Sequence, residues 1–136
     1  KSILKYQKLF LLFSDEKQPL GILKGFKMFC KKYKIEHEVV ASIKDRVPKI
    51  GELYVVLDDQ NLIRIIKKIK ENKFVLAKDI GIISFNDTIL KEVVEDGITT
   101  ISTDFNVMGE RLAQMILNNE QIRIENTSSL ILRKSI

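Results

Sequence analysis

The sequence predicts an α/β fold in three layers, with a mostly parallel sheet and helices on both of its faces. Short runs of continuous apolar residues alternate along the chain with longer segments in which apolar residues recur every three or four positions. The first pattern is typical of strands buried on both faces, and the second of amphipathic helices. Strands and helices that alternate in this way build parallel sheets. The chain of 136 residues is long enough for one such domain and shows no internal repeat or linker.

The first half of the chain supplies three strands and two helices. Strands are predicted at Lys8–Phe13, Glu36–Ala41 and Leu53–Leu57. Pro19 follows a polar turn and marks the start of the first helix, whose apolar positions are Leu20, Leu23, Phe26, Phe29 and Tyr33. Asp58 and Asp59 introduce the second helix, whose apolar stripe consists of Leu62, Ile65, Ile66 and Ile69.

The second half supplies three more strands and one long helix. The strands are predicted at Ile80–Phe85, Ile98–Ser102 and Ser129–Arg133. Asp104 is placed to accept hydrogen bonds from backbone amides as the N-cap of a helix over residues 104–118. One side of that helix presents the apolar residues Phe105, Met108, Leu112, Met115 and Ile116.

Composition and charge narrow the possible partners. The longest apolar run, Leu9–Phe13, is far too short to cross a bilayer, so no membrane partner is predicted. The net charge of +5 is concentrated in the first half, but its lysines fall on the solvent faces and carboxyl ends of two helices. No aromatic residues alternate with them to stack on bases, so solvated helix faces are favoured over a nucleic-acid groove. A single cysteine, Cys30, excludes an intrachain disulfide and fits a reducing compartment.

Catalytic and cofactor motifs are poorly represented. The only histidine, His37, lies within a predicted strand, and Cys30 falls near the apolar face of the first helix, where a core thiol is expected. No phosphate-binding glycine loop or zinc-ligand set is present, so no cofactor is predicted. Asp58, Asp59 and Asp87 follow strand ends and leave open a magnesium-dependent enzyme or phosphoacceptor. Their order differs from that of receiver domains, whose acidic pair ends the first strand; here that strand ends at Phe13.

Three segments resemble the sensor domains of LacI/GalR-type bacterial transcription regulators. Asp79–Asp87 is similar to that family's strand ending in Gly-Phe-Asp-Asp, with Ser84 in place of the glycine and Asn86 in place of the first aspartate. Residues 98–109 resemble its Leu-Thr-Thr crossover, and residues 130–135 its closing strand with arginine and serine. Softer matches occur at Gly25-Phe26 and Asp58-Asp59.

The resemblance implies a fold like that of periplasmic binding proteins, with residues 1–136 as the second lobe and the helix of residues 104–118 belonging to a first lobe. It implies a small effector, such as a sugar, bound between the lobes. Carried over by position, the ligand-binding residues are expected to be Ser14, Asp15, Asp59, Asn86, Asp87, Thr103 and Phe105. Helix capping is the alternative role for Asp59, and capping is expected for Asp104.

Two departures from the family pattern are visible. Ile22 stands where the family commonly has an effector-binding arginine, and the segment from Ser42 to Leu53 is too short for the helix expected between the second and third strands. Similar endings occur in regulators that join a GntR-like winged-helix domain to a divergent sensor.

The resemblance implies a cytoplasmic, non-enzymatic regulator that forms a homodimer and contacts DNA only through a domain outside this chain. The chain opens on Lys1 rather than Met, which indicates a fragment. A periplasmic solute-binding protein of the same fold is the first alternative.

Overall fold

The computed structural model describes residues 2–136. Its strands are β1 Lys8–Leu12, β2 Glu36–Val40, β3 Glu52–Val56, β4 Ile80–Phe85, β5 Thr99–Thr103 and β6 Ser128–Ile131. Its helices are α1 Leu20–Tyr33, α2 Asp59–Glu71, α3 Ile89–Val93 and α4 Phe105–Leu117. The predicted strands and the three long helices are confirmed to within one or two residues at their ends. The one-turn helix α3, capped by Thr88, is an addition that the apolar pattern did not predict.

The six strands form one sheet in the order β2-β1-β3-β4-β5-β6. The pairs among β1 to β5 are parallel, and only β6 runs antiparallel, against β5. The predicted mostly parallel α/β sheet is therefore confirmed. Because β1 to β5 share one direction, the residues that follow them meet at a single border of the sheet, here named the carboxyl edge.

Alternate residues of each strand face opposite layers, which places helices on both faces. Phe10, Tyr54 and Ile82 pack with Leu62, Ile65 and Ile69 of α2 in one core. Their strand neighbours Leu9, Leu53 and Ile83 pack with Cys30 of α1 in a second core. Cys30 is fully buried, which confirms the predicted core thiol, and burial raises its pKa.

The connector between β2 and β3 forms no helix, as its length predicts. It is held instead by the buried carboxylate of Glu52, which lies 2.7 Å from Nη2 of Arg46 and accepts a hydrogen bond from the Lys49 amide at 2.8 Å. The Tyr54 hydroxyl also donates to Glu52. Arg46 stacks over Phe10 with its guanidinium carbon 4.0 Å from the ring centroid. These contacts let an irregular segment cover the sheet without a helix.

Helix α4 buries none of its residues. Phe105 is 46% and Ile116 71% exposed, whereas Met108 and Met115 are half-buried. The predicted N-cap is confirmed, because the Asp104 side chain accepts from the amides of Asn106 and Val107 at 3.1 and 3.0 Å. The helix therefore has a capped N-terminus, but none of its residues is buried against the rest of residues 2–136.

The glycine of β4 is required by a close approach of Tyr6. A methyl group at Gly81 would lie 2.5 Å from Cζ of Tyr6, whose side chain is buried and whose hydroxyl donates to the Ala77 carbonyl at 2.9 Å. Burial raises the pKa of Tyr6 to about 12. The ring cannot move aside without losing that hydrogen bond.

We expect Gly81→Ala to lower the free energy of unfolding by about 1–3 kcal/mol, because the added methyl overpacks this site. Gly109→Ala in α4 is the matched control, since a methyl group added at Gly109 would meet no atom within 4 Å; alanine there should stabilise by about 0.5–1 kcal/mol. Urea unfolding of the two variants measures both changes. Equal stability of Gly81→Ala and the parent would contradict the packing argument.

Candidate functional site at the carboxyl edge

Polar residues follow the parallel strands at the carboxyl edge. Ser14 lies beyond β1, Ser42 beyond β2, Asp58 beyond β3 and Asn86 beyond β4, while Thr103 ends β5. Ligands of open parallel sheets bind outside this border, where strand ends and helix starts present hydrogen-bonding groups. The predicted site residues all lie at this edge, but they line different depressions or make different contacts there.

Ser14 lines a depression of about 370 Å³ between the ends of β1 and β2 and the start of α2, here named the edge pocket. Most of its lining residues are polar, and the lining consists of Leu12, Ser14, Lys17, Gln18, Ala41, Ser42, Asp58, Gln60, Asn61 and Arg64. Asp15 faces a neighbouring depression that it shares with Ser14, Glu16 and Lys27. Two of the predicted loop residues are thus at the same corner of the edge.

A hydrogen-bonded unit fixes the wall of the edge pocket. Oδ1 and Oδ2 of Asp58 accept from the backbone amide and side-chain amide of Asn61, each at 2.8 Å. The side-chain oxygen Oδ1 of Asn61 in turn accepts from the Ser42 hydroxyl at 3.1 Å and the Ile43 amide at 3.3 Å. Asp58, not Asp59, is therefore the N-cap of α2, which corrects the expectation that capping was the alternative role of Asp59.

The loop after β1 is closed by Gln18. The amide of Ser14 donates to Oε1 of Gln18 at 2.7 Å, and the Gln18 amide donates back to the Ser14 carbonyl at 3.1 Å. This reciprocal pair shapes the turn that brings Lys17 to the pocket wall.

Asp59 is exposed and forms an ion pair with a buried lysine. Nζ of Lys91, on α3, lies 3.1 Å from Oδ1 of Asp59. The same ammonium group donates to the carbonyls of Phe85 and Asn86, each at 2.9 Å. With three acceptors and a side chain only 5% exposed, Lys91 ties the end of β4 to the start of α2.

Asn86 occupies a left-handed turn rather than an extended strand end. Its φ of 59° lies in the region that asparagine tolerates better than most residues. Its amide donates to the Ile101 carbonyl at 2.9 Å, and its own carbonyl accepts from Lys91. The backbone of Asn86 thus fixes the chain direction leading into Asp87.

Asp87 is clamped by the closing segment of the chain. Its two oxygens accept from Nη1 and Nη2 of Arg133 at 2.6 and 2.8 Å, and Oδ1 also accepts from the Thr100 hydroxyl at 2.9 Å. The Arg133 guanidinium lowers the pKa of Asp87 below its ordinary value of 3.8; burial opposes this in part, and the Thr100 hydrogen bond reinforces it. Most of the acceptor capacity of Asp87 is committed to holding the sheet together.

Thr103 and Phe105 line a second depression, here named the crossover pocket, of about 480 Å³. Asp87 borders it together with the acidic residues Glu92 and Asp104. The side-chain oxygens of Thr103 and Ser128 lie 3.2 Å apart and form a hydrogen bond. The structure therefore brings Asp87, Thr103 and Phe105 together, while Ser14 lines the edge pocket and Asp59 and Asn86 line neither.

The three aspartates considered for magnesium binding each interact with a different partner. Asp58 binds Asn61, Asp59 binds Lys91 and Asp87 binds Arg133. Within residues 2–136, no three histidine, cysteine or acidic side chains form a potential metal site. The three carboxylates do not converge on one metal site, because each pairs with a different partner.

Sequence reasoning missed several residues that shape the edge. Asn61, Arg64 and Lys91 gave no signal, since their partners or pockets come from distant segments. Arg133 was noted only as part of the closing motif. The serine of that motif is Ser135, whose hydroxyl donates to the Ile82 carbonyl at 2.6 Å and accepts from the Thr99 amide at 2.8 Å. Ile22, which stands where an arginine was expected, lines an apolar groove beside α1 instead.

The family model described as a periplasmic binding protein-like domain matches residues 4–136, so the chain belongs to that family. The periplasmic-binding-protein-like fold that the three motifs imply is confirmed. No curated protein matches the chain by sequence. None of the helices formed by residues 2–136 is long and apolar enough to cross a membrane.

Solved structures share the fold at low identity. A transcription regulator-like protein from Staphylococcus haemolyticus has a TM-score of 0.78 and 20% identity over 98% of this chain and 54% of its own. A periplasmic binding protein/LacI transcriptional regulator from Alkaliphilus metalliredigens, complexed with D-xylulofuranose, has a TM-score of 0.70 and 20% identity over 96% of this chain and 57% of its own. The Lac repressor bound to ONPG has a TM-score of 0.70 and 21% identity, over 98% and 47%. The chain spans about half the length of these proteins.

We expect Lys91→Met to lower the free energy of unfolding by about 2–4 kcal/mol, because it leaves two backbone carbonyls without their buried donor. Lys134→Met is the control, since Lys134 is 74% exposed and lies 3.9 Å from Asp96; its loss should stay below about 0.5 kcal/mol. Thermal unfolding of both variants gives the comparison. Similar losses for the two would show that Lys91 is no more than a surface charge.

The lowered pKa of Asp87 predicts an acid-sensitive contribution to stability. A carboxyl whose folded pKa is depressed stabilises the fold above its ordinary pKa and loses that contribution as the pH falls through the depressed value. We expect Asp87→Asn to cost about 2–3 kcal/mol at pH 7, and its deficit relative to the parent to shrink progressively below about pH 4.

Urea unfolding at several pH values measures this dependence. Glu120→Gln serves as the control, because it removes one surface partner of Arg111, and should change stability by less than about 1 kcal/mol. A deficit of Asp87→Asn that stays constant down to about pH 2 would show that the ionised clamp is not its cause.

Proposed function

We propose that the chain is the second lobe of the effector-sensing domain of a bacterial transcription regulator and acts by binding, without catalysis. The observation that best supports this is the carboxyl edge itself, where two polar depressions open beside ordered strand ends on a fold of the periplasmic binding protein-like family. Such edges bind small molecules through a few placed polar groups and an apolar wall. The effector class we favour is a sugar or a sugar derivative.

We assign the ligand contacts to the predicted residues that keep free donors, acceptors or apolar surface. Asp59, 66% exposed, has a carboxylate held by a single lysine. Phe105 offers an exposed ring beside Thr103 in the crossover pocket. Ser14 and Asp15 contribute the loop after β1. Asn86 and Asp87 make hydrogen bonds within the chain that fix the edge beside these groups.

A first lobe would complete the cleft and cover α4. Helix α4 buries no residue in the described chain, and the similar structures are roughly twice as long. We infer that residues 104–118 pack against that first lobe, so that ligand binding between the lobes changes how they sit relative to each other. A homodimer would pass that change to DNA-binding domains outside this chain, in the cytoplasm.

The intact protein that contains this chain tests the proposal. We expect one or more sugars in a panel of neutral and acidic monosaccharides and disaccharides to raise its melting temperature and to alter its affinity for operator DNA. For the sugar so identified, Asp59→Asn and Phe105→Ala should each weaken binding by about tenfold or more, which corresponds to about 1.4 kcal/mol.

Asp96→Asn is the matched control, because Asp96 is exposed and precedes β5 at the opposite edge of the sheet. It should leave affinity unchanged. Binding that survives both Asp59→Asn and Phe105→Ala would remove these residues from the site. A sugar that binds without any effect on DNA affinity would favour a solute receptor of the same fold.

A further inference from the structure

We propose that the edge pocket binds an anionic group of the effector, a carboxylate or a phosphate attached to a sugar. The inference rests on the proposed function and narrows it from sugars in general to acidic sugar derivatives. It comes from the charges that line the two depressions of the carboxyl edge.

Two cations at the edge pocket have no partner within residues 2–136. Lys17 and Arg64 both border the pocket, and among the ion pairs and side-chain hydrogen bonds of those residues neither side chain takes part. Arg64 is only half-exposed on α2, three residues beyond the buried Asn61. Arginine and lysine brought together in a concave polar pocket are suited to carboxylate and phosphate oxygens.

The carboxylate of this wall is already satisfied. Both oxygens of Asp58 accept from Asn61 at 2.8 Å. Asp58 therefore acts as part of the frame and does not pair with Lys17 or Arg64. Asp59 is held by Lys91 and does not border the pocket.

Neutral donors complete the pocket. Oε1 of Gln18 is occupied by the Ser14 amide, which leaves the amide nitrogen of that side chain for a ligand oxygen. Gln60 also lines the wall. Two cations against the single carboxylate of Asp58, with neutral amide donors around them, favour an oxygen-rich anion over a neutral hydroxyl group.

The crossover pocket has the opposite character. It is bordered by Asp87, Glu92 and Asp104, and of these Asp87 and Glu92 already pair with Arg133. An anionic group would be repelled there, whereas ring hydroxyls suit carboxylate acceptors. The charge difference between the two pockets thus orients the ligand, with its acid toward α2 and its ring toward Thr103 and Phe105.

The test measures binding of matched neutral and acidic sugars to the intact protein by calorimetry. The probes are D-glucose, D-glucuronate and D-glucose 6-phosphate, D-galactose and D-galacturonate, and inorganic phosphate alone. We expect an acid to bind at least about tenfold more tightly than its neutral counterpart, with an affinity that falls as salt is raised.

Arg64→Gln and Lys17→Gln should each weaken binding of the acid by about ten- to a hundredfold, as expected for a lost charge-assisted contact, and leave the neutral sugar unaffected. Lys67→Gln is the control, since Lys67 is exposed on the same helix and lines none of the pockets at this edge. Two independent pocket variants keep the test informative where one of them fails to fold.

Equal binding of neutral and acidic sugars, or an acid preference that survives both Arg64→Gln and Lys17→Gln, would overturn the anionic assignment while leaving the proposed sensor intact. Binding of inorganic phosphate but of no sugar acid would mark an adventitious ion only and would also overturn it. If the intact protein binds none of the sugars and its DNA affinity responds to none, the proposed function itself fails.

Discussion

The requirement that a parallel sheet be covered on both faces shapes this molecule more than any single contact. Helix α2 and the β2–β3 connector close one face completely, with Ile43, Ile65 and Ile82 fully buried beneath them. The other face is covered by α1 and by Tyr6 and its neighbours, which leaves an apolar groove of about 420 Å³ between α1 and the ends of β3, β4 and β5. Helix α4 meanwhile presents apolar residues and buries none. Both uncovered apolar surfaces support the proposal that the chain is one lobe, whose carboxyl edge would form one wall of a cleft.

Given that sheet, the geometry of the edge depends on ion pairs between segments far apart in the chain. Arg133 and Asp87 are 46 residues apart, yet their bidentate pair joins the closing segment to the turn after β4. Ser135 of the same closing segment also joins β4 to β5, because its hydroxyl is hydrogen-bonded to both Ile82 and Thr99. A half-buried bidentate pair with an added hydroxyl is stiff. The strand ends that present the site are therefore held by side chains that no ligand needs to touch.

Much of the fold could be predicted from periodicity because the signals are local. The short apolar run Leu9–Phe13 is typical of a buried strand, and Asp104 before an apolar stripe marks a helix start. Helix α3 escaped because one turn holds too few residues to show a period. The site was harder: Asp58 and Asp59 are adjacent acids in the same motif, and only the fold shows that Asn61 captures the first and Lys91 the second. Long-range partners leave no local pattern to find.

At the carboxyl edge, residues whose side chains are paired within the chain differ from those left free to contact a ligand. Asp87, Lys91 and Arg133 have their charges matched inside the chain, and Asp58 caps α2 through two hydrogen bonds from Asn61, so their interactions fix geometry and leave little for a ligand. Lys17 and Arg64 carry charges that nothing within residues 2–136 matches, in a concave pocket, and unmatched charge beside ordered amides gains most from an incoming partner of opposite sign. The family resemblance placed Asp87 among the ligand contacts. Its pairing with Arg133 leaves it little free acceptor capacity, whereas the unpaired cations that border the edge pocket are free to bind a ligand.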